Sequence, residues 1–210
     1  MIKVLIADDH PIVRQGLRQI LKETSDIAVA GEAGNGPDTL SAVSKTDYDV
    51  VLLDLSMPGR SGLDILQQLK IEKPALRVLI LSTYPEEQYA VRALKDGASG
   101  YLTKSSAPDE LVTAIRKVAR GGKYVSATLA EKLAFDLSVD SQKPLHETLS
   151  DREYQVMCMI ASGKMAKEIA GELSLSVKTI STYRTRILEK MQMKNNAEIT
   201  LYAIKQGLVN

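Results

Sequence analysis

Cysteine is almost absent from this chain, since Cys158 is the only one among 210 residues. A single cysteine cannot form a disulfide within the chain. This one lies in an apolar stretch with helical periodicity, so we expect a small core residue rather than a redox centre. The scarcity of cysteine indicates a protein of a reducing compartment.

Long hydrophobic runs are absent as well. The first apolar run, Val4 to Ala7, is interrupted by Asp8 and Asp9, which makes it too short for the core of a signal peptide. No stretch approaches the roughly 18 apolar residues that a membrane span needs. We therefore expect a soluble, cytoplasmic protein without membrane partners. No glycine-rich phosphate loop follows the apolar run Val4 to Ala7, and this absence argues against a nucleotide-binding enzyme.

A strong charge imbalance is missing too, because 27 Lys and Arg residues stand against 26 Asp and Glu residues. The small positive excess lies in the last part of the chain, where residues 149 to 210 carry 9 basic and 6 acidic side chains. This excess favours a nucleic-acid surface only slightly over an ordinary solvated face.

What the chain does contain is a regular alternation of apolar runs and amphipathic segments over its first 121 residues. Short apolar runs bounded by turn residues predict buried strands, and apolar residues three or four apart predict helices. The predicted strands are Val4 to Ala7, Ile27 to Ala33, Val50 to Leu53, Arg77 to Ser82 and Ser99 to Thr103. The predicted helices are one that begins at Pro11, then Pro37 to Ser44, Gly62 to Glu72, Glu86 to Lys95 and Asp109 to Arg120. Five strands alternating with five helices predict an α/β domain built on a doubly wound parallel sheet.

Polar residues stand where the predicted strands end. They are Asp8, Asp9, Asp54, Ser82 and Lys104. Because the carboxyl ends of parallel strands share one edge of the sheet, we expect these side chains to converge in one crevice. Three carboxylates in one place repel each other, and a hard divalent cation such as Mg²⁺ relieves that repulsion.

These residues, with the Asp54-Leu-Ser-Met-Pro-Gly59 turn and Tyr101, resemble the receiver domain of two-component response regulators over about 120 residues. The resemblance implies a five-stranded flavodoxin-like fold in which Asp54 accepts a phosphoryl group from a sensor histidine kinase. It also implies that Mg²⁺ is held by Asp8, Asp9, Asp54 and the backbone carbonyl of Ser56. Lys104 would pair with the phosphoryl group, and Ser82 and Tyr101 would respond to it.

Each of these side chains also has a simpler interpretation. Lys104 could only bridge to an acid, Ser82 could only cap the next loop, and Tyr101 could be a static, half-buried strand residue.

The two halves of the chain are expected to be joined by a linker over residues 122 to 148, which follows a receiver domain of residues 1 to 121. Leucines at four-residue spacing predict one short amphipathic helix within it, near residues 127 to 137. Residues 138 to 148 are polar and lack periodicity, which predicts an irregular connection.

The last part, residues 149 to 210, predicts a small all-α domain of four helices. Ser150 and Glu153 form a capping-box pattern at the first helix. A second helix from Ala166 to Leu173 is followed by a tight connection and a third helix from Val177 to Met191, which is the pattern of a helix-turn-helix.

The third of these helices carries short hydroxyl side chains on its outward face and basic side chains beside them. A face of this kind suits the major groove of double-stranded DNA, with base contacts in the centre and phosphate contacts on the flanks. A solvated face without a ligand is the alternative. The candidate DNA contacts are Lys178, Thr179, Ser181, Thr182, Arg184, Thr185, Arg186 and Lys190.

Leu149-Ser-Asp-Arg-Glu153, Lys167-Glu-Ile-Ala170, Thr179-Ile180 and Lys190-Met191 resemble the LuxR-type DNA-binding domain over about 60 residues. Joined to a receiver, this domain is typical of the NarL/FixJ class, and residues 182 to 187 look closest to the GacA/UvrY branch. The resemblance implies a homodimer on promoter DNA, paired through the last helix. In the alternative, that helix serves only the core of its own domain.

We therefore expect a phosphorylation-dependent, DNA-binding transcriptional regulator that is not a turnover enzyme. The main rival is a phosphatase of the haloacid-dehalogenase type that uses Asp54 covalently, but that family has a second acid where this chain has Ser56. A phosphorylation-independent regulator or adaptor, with a receiver that only docks partners, is a further alternative. The sequence does not specify the kinase, the operator or the sign of regulation.

Overall fold

The computed structural model describes residues 1–131 and 144–209. The chain divides into two compact units, with the boundary between residues 133 and 134. The first unit contains a five-stranded sheet whose strands are all parallel, in the order β2-β1-β3-β4-β5. The strands are β1 (Ile2–Ala7), β2 (Ile27–Ala33), β3 (Val50–Leu53), β4 (Arg77–Ser82) and β5 (Gly100–Thr103). The predicted doubly wound α/β fold is confirmed.

Helices follow the strands as predicted, with bounds that differ by a residue or two. They are α1 (Pro11–Lys22), α2 (Gly36–Lys45), α3 (Gly62–Glu72), α4 (Glu86–Lys95) and α5 (Pro108–Ala119). Local sequence explains several of the helix starts. Pro11 and Pro108 occupy first turns, where a missing N–H costs nothing. Ser61 and Asp64 form a capping box at α3, and the Asn35 side chain caps α2.

The register of the sheet brings the predicted polar residues to one edge. Ala7 of β1 lies opposite Leu53 of β3, and the Asp54 N–H donates to the Ala7 carbonyl at 2.9 Å. Ser82 of β4 lies opposite Thr103 of β5, and the Lys104 N–H donates to the Ser82 carbonyl at 2.7 Å. The four residues of β3 are all buried, as the apolar run predicts for a central parallel strand.

The predicted linker is not irregular at its C-terminal end. Leu145–Thr148 form a 3₁₀-helix, and the ring of His146 lies between those of Tyr154 and Tyr202, with its Nδ1 2.9 Å from the Tyr202 hydroxyl. A tertiary contact therefore orders a segment that has no periodicity of its own. Residues 127 to 131 are helical, whereas the rest of the helix predicted near 127 to 137 lies outside the described residues.

Within residues 144–209, the second unit holds four α-helices, which are α6 (Asp151–Ala161), α7 (Ala166–Glu172), α8 (Val177–Lys190) and α9 (Asn196–Lys205). Helix α6 packs against α8 and α9, and α7 packs against α8. Cys158 is buried in α6, as expected of a core residue. Helix α9 divides its apolar residues: Ile199 and Ala203 enter the core, while Leu201 and Ile204 are about half exposed.

Candidate active site and nucleic-acid interface

The carboxyl edge of the sheet brings Lys104 between two buried carboxylates. Its Nζ lies 2.7 Å from Asp8 Oδ2 and 2.8 Å from Asp54 Oδ2. The side chains of Asp8 and Asp54 are 3% and 1% exposed, and that of Lys104 is 12% exposed. Three residues separated by up to 96 positions in the sequence are thus in direct contact because β1, β3 and β5 end at the same level.

Burial and charge oppose each other in this cluster. Burial raises the pKa of Asp54, and this effect outweighs the stabilisation of its charged form by Lys104 and by the Ser56 N–H, which donates to Asp54 Oδ1 at 3.1 Å. Burial lowers the pKa of Lys104, but its two carboxylate partners outweigh burial and raise that pKa above its ordinary value. Lys104 therefore stays charged and neutralises only one of its two acidic neighbours.

The remaining negative charge and the donor atoms fit a divalent cation. Asp8, Asp9, His10 and Asp54 each offer one ligand atom, and these atoms all lie within 4.8 Å of one another. Asp9 Oδ1 is buried and accepts no hydrogen bond from the described residues. Oxygen donors of this kind are the ligands that Mg²⁺ prefers. The acidic cluster is thus suited to the metal that receiver domains use for phosphorylation.

Ser82 and Tyr101 are connected through the backbone of Tyr84. The Ser82 hydroxyl accepts the Tyr84 N–H at 3.2 Å, and the Tyr101 hydroxyl donates to the Tyr84 carbonyl at 2.9 Å. Tyr101 is fully buried rather than half-buried, and burial raises the pKa of its hydroxyl, so it remains a hydrogen-bond donor. The two predicted switch residues are thus hydrogen-bonded to the N–H and the carbonyl of the same loop residue.

The outward face of α8 is accessible, as the sequence predicts. Lys178, Ser181, Thr182, Thr185 and Arg186 are exposed, while Thr179 is half-buried against Ser176. The hydroxyls of Ser181, Thr182 and Thr185 donate to carbonyls one turn earlier, at 3.0 to 3.1 Å. These bonds use the O–H groups and leave the oxygen lone pairs able to accept a hydrogen bond.

Two of the basic candidates on α8 have partners within their own unit. Arg184 Nε donates to Asn196 Oδ1 at 2.6 Å, and Lys190 Nζ lies 2.6 Å from Glu153 Oε2. Glu153 also accepts the Ser150 N–H as part of the capping box at α6. Lys190 therefore joins the end of α8 to the start of α6, and a DNA contact would compete with that ion pair.

Sequence reasoning missed two residues at the receiver site. Tyr84 belongs to no motif, and it acts through backbone atoms that a sequence pattern does not reveal. His10 could have been found, because it directly follows the acidic pair, and its Nδ1 lies 2.8 Å from Asp9 Oδ1.

Comparison with known proteins assigns both halves. Residues 4–116 match the response regulator receiver domain, and residues 147–203 match the bacterial regulatory proteins of the luxR family. The chain belongs to the LuxR-type response regulators. This response regulator is 37% identical to response regulator UvrY of Escherichia coli (strain K12), over 100% of this chain and 97% of UvrY. It is also 37% identical to response regulator GacA of Pseudomonas aeruginosa, over 100% of this chain and 99% of GacA.

Solved structures agree with this family. RcsB from Salmonella enterica serovar Typhimurium, bound to promoter rprA in the presence of the phosphomimetic BeF₃⁻, has a TM-score of 0.65 and 28% identity. The match covers 96% of this response regulator and 98% of that RcsB chain. A receiver joined to a LuxR-type domain makes this chain a phosphorylation-dependent, DNA-binding transcription regulator. None of the helices within residues 1–131 and 144–209 has the length and hydrophobicity of a membrane span.

Proposed function

We propose that Asp54 is the phosphoacceptor of this response regulator and that the exposed face of α8 binds promoter DNA. The observation that carries the first part is the contact of Lys104 with both Asp8 and Asp54 at the aligned ends of β1, β3 and β5. A buried carboxylate beside a fixed cation and two further acids is arranged for phosphoryl transfer more than for stability.

In the proposed reaction a carboxylate oxygen of Asp54 attacks the phosphorus atom of a phosphohistidine on a sensor kinase. The new O–P bond forms on Asp54 as the P–N bond breaks, and the electron pair returns to the imidazole of the kinase. Asp8, Asp9, Asp54 and the Ser56 carbonyl would hold Mg²⁺, which neutralises charge on the transferring oxygens. Lys104 is already 2.8 Å from Asp54 Oδ2 and would pair with a phosphoryl oxygen.

The response to phosphorylation would pass through Ser82, Tyr84 and Tyr101. A phosphoryl group adds about −1.5 to −2 of charge and three acceptor oxygens. The Ser82 hydroxyl can donate to one of them, and a turn of this side chain toward the phosphoryl group would weaken the bond that its oxygen accepts from the Tyr84 N–H. Tyr101 still holds the Tyr84 carbonyl, so the loop between β4 and α4 would rearrange around the buried tyrosine.

The DNA-binding part of the proposal assigns different roles along α8. The residues that would face base edges are Ser181, Thr182 and Thr185. The residues that would contact phosphates are Lys178, Arg184 and Arg186. Thr179 lies near the start of the helix. Lys190 was predicted as a further phosphate contact, and its ion pair with Glu153 gives it a structural role as well.

The exposed Leu201 and Ile204 on α9 favour pairing of two copies on DNA, because they form an apolar face outside the core of their own unit. RcsB has been solved as two dimers bound to two parallel DNAs. We further propose that this response regulator acts in the cytoplasm, without catalytic turnover of its own.

Intact-mass spectrometry after incubation with acetyl phosphate and Mg²⁺ tests the phosphoacceptor. The wild type should gain one phosphoryl group and Asp54→Asn should gain none. Asp47→Asn, which removes a fully solvated aspartate of the same unit, should behave as the wild type. Labelling of Asp54→Asn to the same extent as the wild type would refute the assignment.

Selection of duplexes from a random pool, followed by fluorescence anisotropy, tests the DNA face. Thr185→Ala should weaken binding to the selected duplex by about tenfold, since one lost base contact costs about 1–3 kcal/mol. Thr113→Ala is the matched control, because Thr113 makes the same bond to a carbonyl one turn earlier but lies on α5 of the first unit. Equal losses in the two variants would argue against base contact through α8.

A further inference from the structure

His10 places an imidazole nitrogen next to the acidic cluster. The residue directly precedes α1, and its backbone N–H donates to Asp8 Oδ1 at 2.8 Å. This bond fixes the backbone from which the ring extends. The ring Nδ1 lies 2.8 Å from Asp9 Oδ1 and 3.4 Å from Asp8 Oδ1.

The contact between His10 Nδ1 and Asp9 Oδ1 has the distance of an ion pair but lacks the geometry of a hydrogen bond. Asp9 Oδ1 is a buried atom that accepts no hydrogen bond from the described residues, even though Nδ1 is only 2.8 Å away. Two atoms that can each ligate a metal ion are therefore 2.8 Å apart without a hydrogen bond between them.

The spacing of these atoms is that of neighbouring ligands on one ion. Ligands at about 2.1 Å from a metal are separated by about 3.0 Å in octahedral geometry and about 3.4 Å in tetrahedral geometry. The distances from Nδ1 to Asp9 Oδ1 and Asp8 Oδ1, 2.8 and 3.4 Å, lie on either side of the octahedral value. The ring is 61% exposed, so water can fill the coordination positions that the protein leaves open.

We propose that His10 Nδ1 is a direct ligand of the metal at the phosphorylation site, so that the site binds first-row transition ions such as Mn²⁺, Co²⁺ and Zn²⁺ through a nitrogen that Mg²⁺ does not use. Imidazole suits transition ions, whereas Mg²⁺ takes oxygen ligands and keeps several waters. The proposal rests on the proposed metal site of Asp8, Asp9 and Asp54. It adds a preference for transition ions beyond that of the three carboxylates.

The consequence is a response that differs between metals. Removing the imidazole should weaken binding of a transition ion and leave Mg²⁺ binding unchanged. A histidine that only positions Asp9 would instead affect all divalent ions equally, because every one of them uses the Asp9 carboxylate.

The test is titration of the full chain with Co²⁺ and separately with Mg²⁺ by calorimetry, together with the Co²⁺ absorption spectrum, which reports nitrogen ligation. His10→Asn should bind Co²⁺ about tenfold or more weakly, with a changed spectrum, and should bind Mg²⁺ like the wild type. His146→Asn is the matched control because the chain has only two histidines. It should match the wild type in both titrations.

Two other results would overturn the inference. They are unchanged Co²⁺ binding by His10→Asn, and an equal loss of Co²⁺ and Mg²⁺ affinity. Asp9→Asn separates this failure from failure of the proposed function, since it should lose affinity for both ions. If Asp9→Asn keeps full Mg²⁺ affinity, the acidic metal site itself is wrong.

Discussion

Lys104→Met should destabilise the first unit far more than the loss of a surface ion pair with a similar N–O distance would. The substitution keeps most of the apolar stem and removes the ammonium group that lies 2.7 and 2.8 Å from Asp8 and Asp54. Both carboxylates are then buried without the ammonium group that contacts them. Loss of one partner of a buried pair typically costs about 3–5 kcal/mol.

Protonation of Asp54 limits this cost. An aspartate with an unfolded pKa of 3.8 that is forced to stay neutral in the folded state costs about 1.36 kcal/mol per pH unit above that value. The ceiling for Asp54 is therefore about 4 kcal/mol at pH 7 and about 1.6 kcal/mol at pH 5. We expect a loss of about 3 kcal/mol at neutral pH that shrinks as the pH falls.

Hydrogen exchange of the β1 and β3 amides in the full chain measures this free energy for the first unit alone. Lys73→Met is the matched control, because Lys73 Nζ lies 2.7 Å from the carboxylate of Asp47, which is 96% exposed. Its effect should be much smaller, and Mg²⁺ should reduce the difference in stability between Lys104→Met and the wild type. Equal effects of the two variants, or a loss at Lys104 that grows with acidity, would refute the reasoning.

Three further predictions concern the switch loop and the second unit. Tyr101→Phe removes the donor to the Tyr84 carbonyl, so exchange of the Tyr84 amide should accelerate while phosphorylation of the chain persists. Lys190→Met should destabilise the second unit by about 1 kcal/mol, because the charged partner of buried Glu153 is lost from a half-exposed position, and unfolding in urea would show this. Burial raises the pKa of Glu153, but the hydrogen bonds from Lys190 and the capping box outweigh it and lower that pKa. Glu153 should thus contribute its full stability above its unfolded pKa of 4.5, and this contribution should be lost as the pH falls through the lower folded pKa. In Lys190→Met the same loss should begin at a less acidic pH than in the wild type.

The sheet and the acidic cluster could be predicted because short local patterns determine them. The apolar run Val50 to Leu53 is long enough for one buried strand and too short for a helix, and its bounds match β3. Parallel topology then brings the ends of β1, β3 and β5 together, so Asp8, Asp54 and Lys104 meet without any further information.

Contacts that depend on tertiary packing could not be predicted in this way. The partner of Lys190 is Glu153, 37 residues earlier, and only the packing of α8 against α6 brings the two together. The 3₁₀-helix Leu145–Thr148 depends on the contact between His146 and Tyr202, across 56 residues. Polar composition alone therefore predicted an irregular linker in a place where packing imposes order.

The direction of the His10 ring is also beyond a sequence pattern, because it depends on a side-chain rotamer beside the acidic pair. The same holds for Tyr84, whose backbone groups connect Ser82 with Tyr101. Both residues lie within two positions of a predicted one. Neighbours of a predicted site are thus the natural place to look for residues that motifs omit.

We expect a coupling between phosphorylation of Asp54 and DNA binding by α8. Its most direct test is the affinity of the full chain for its selected duplex, measured by anisotropy before and after treatment with acetyl phosphate and Mg²⁺, with Asp54→Asn in parallel. Phosphorylation should change the affinity of the wild type by about fivefold or more, in line with a coupling free energy of about 1 kcal/mol or more, and should leave Asp54→Asn unchanged. Equal affinity of phosphorylated and untreated wild type, or an equal shift in Asp54→Asn, would contradict the account.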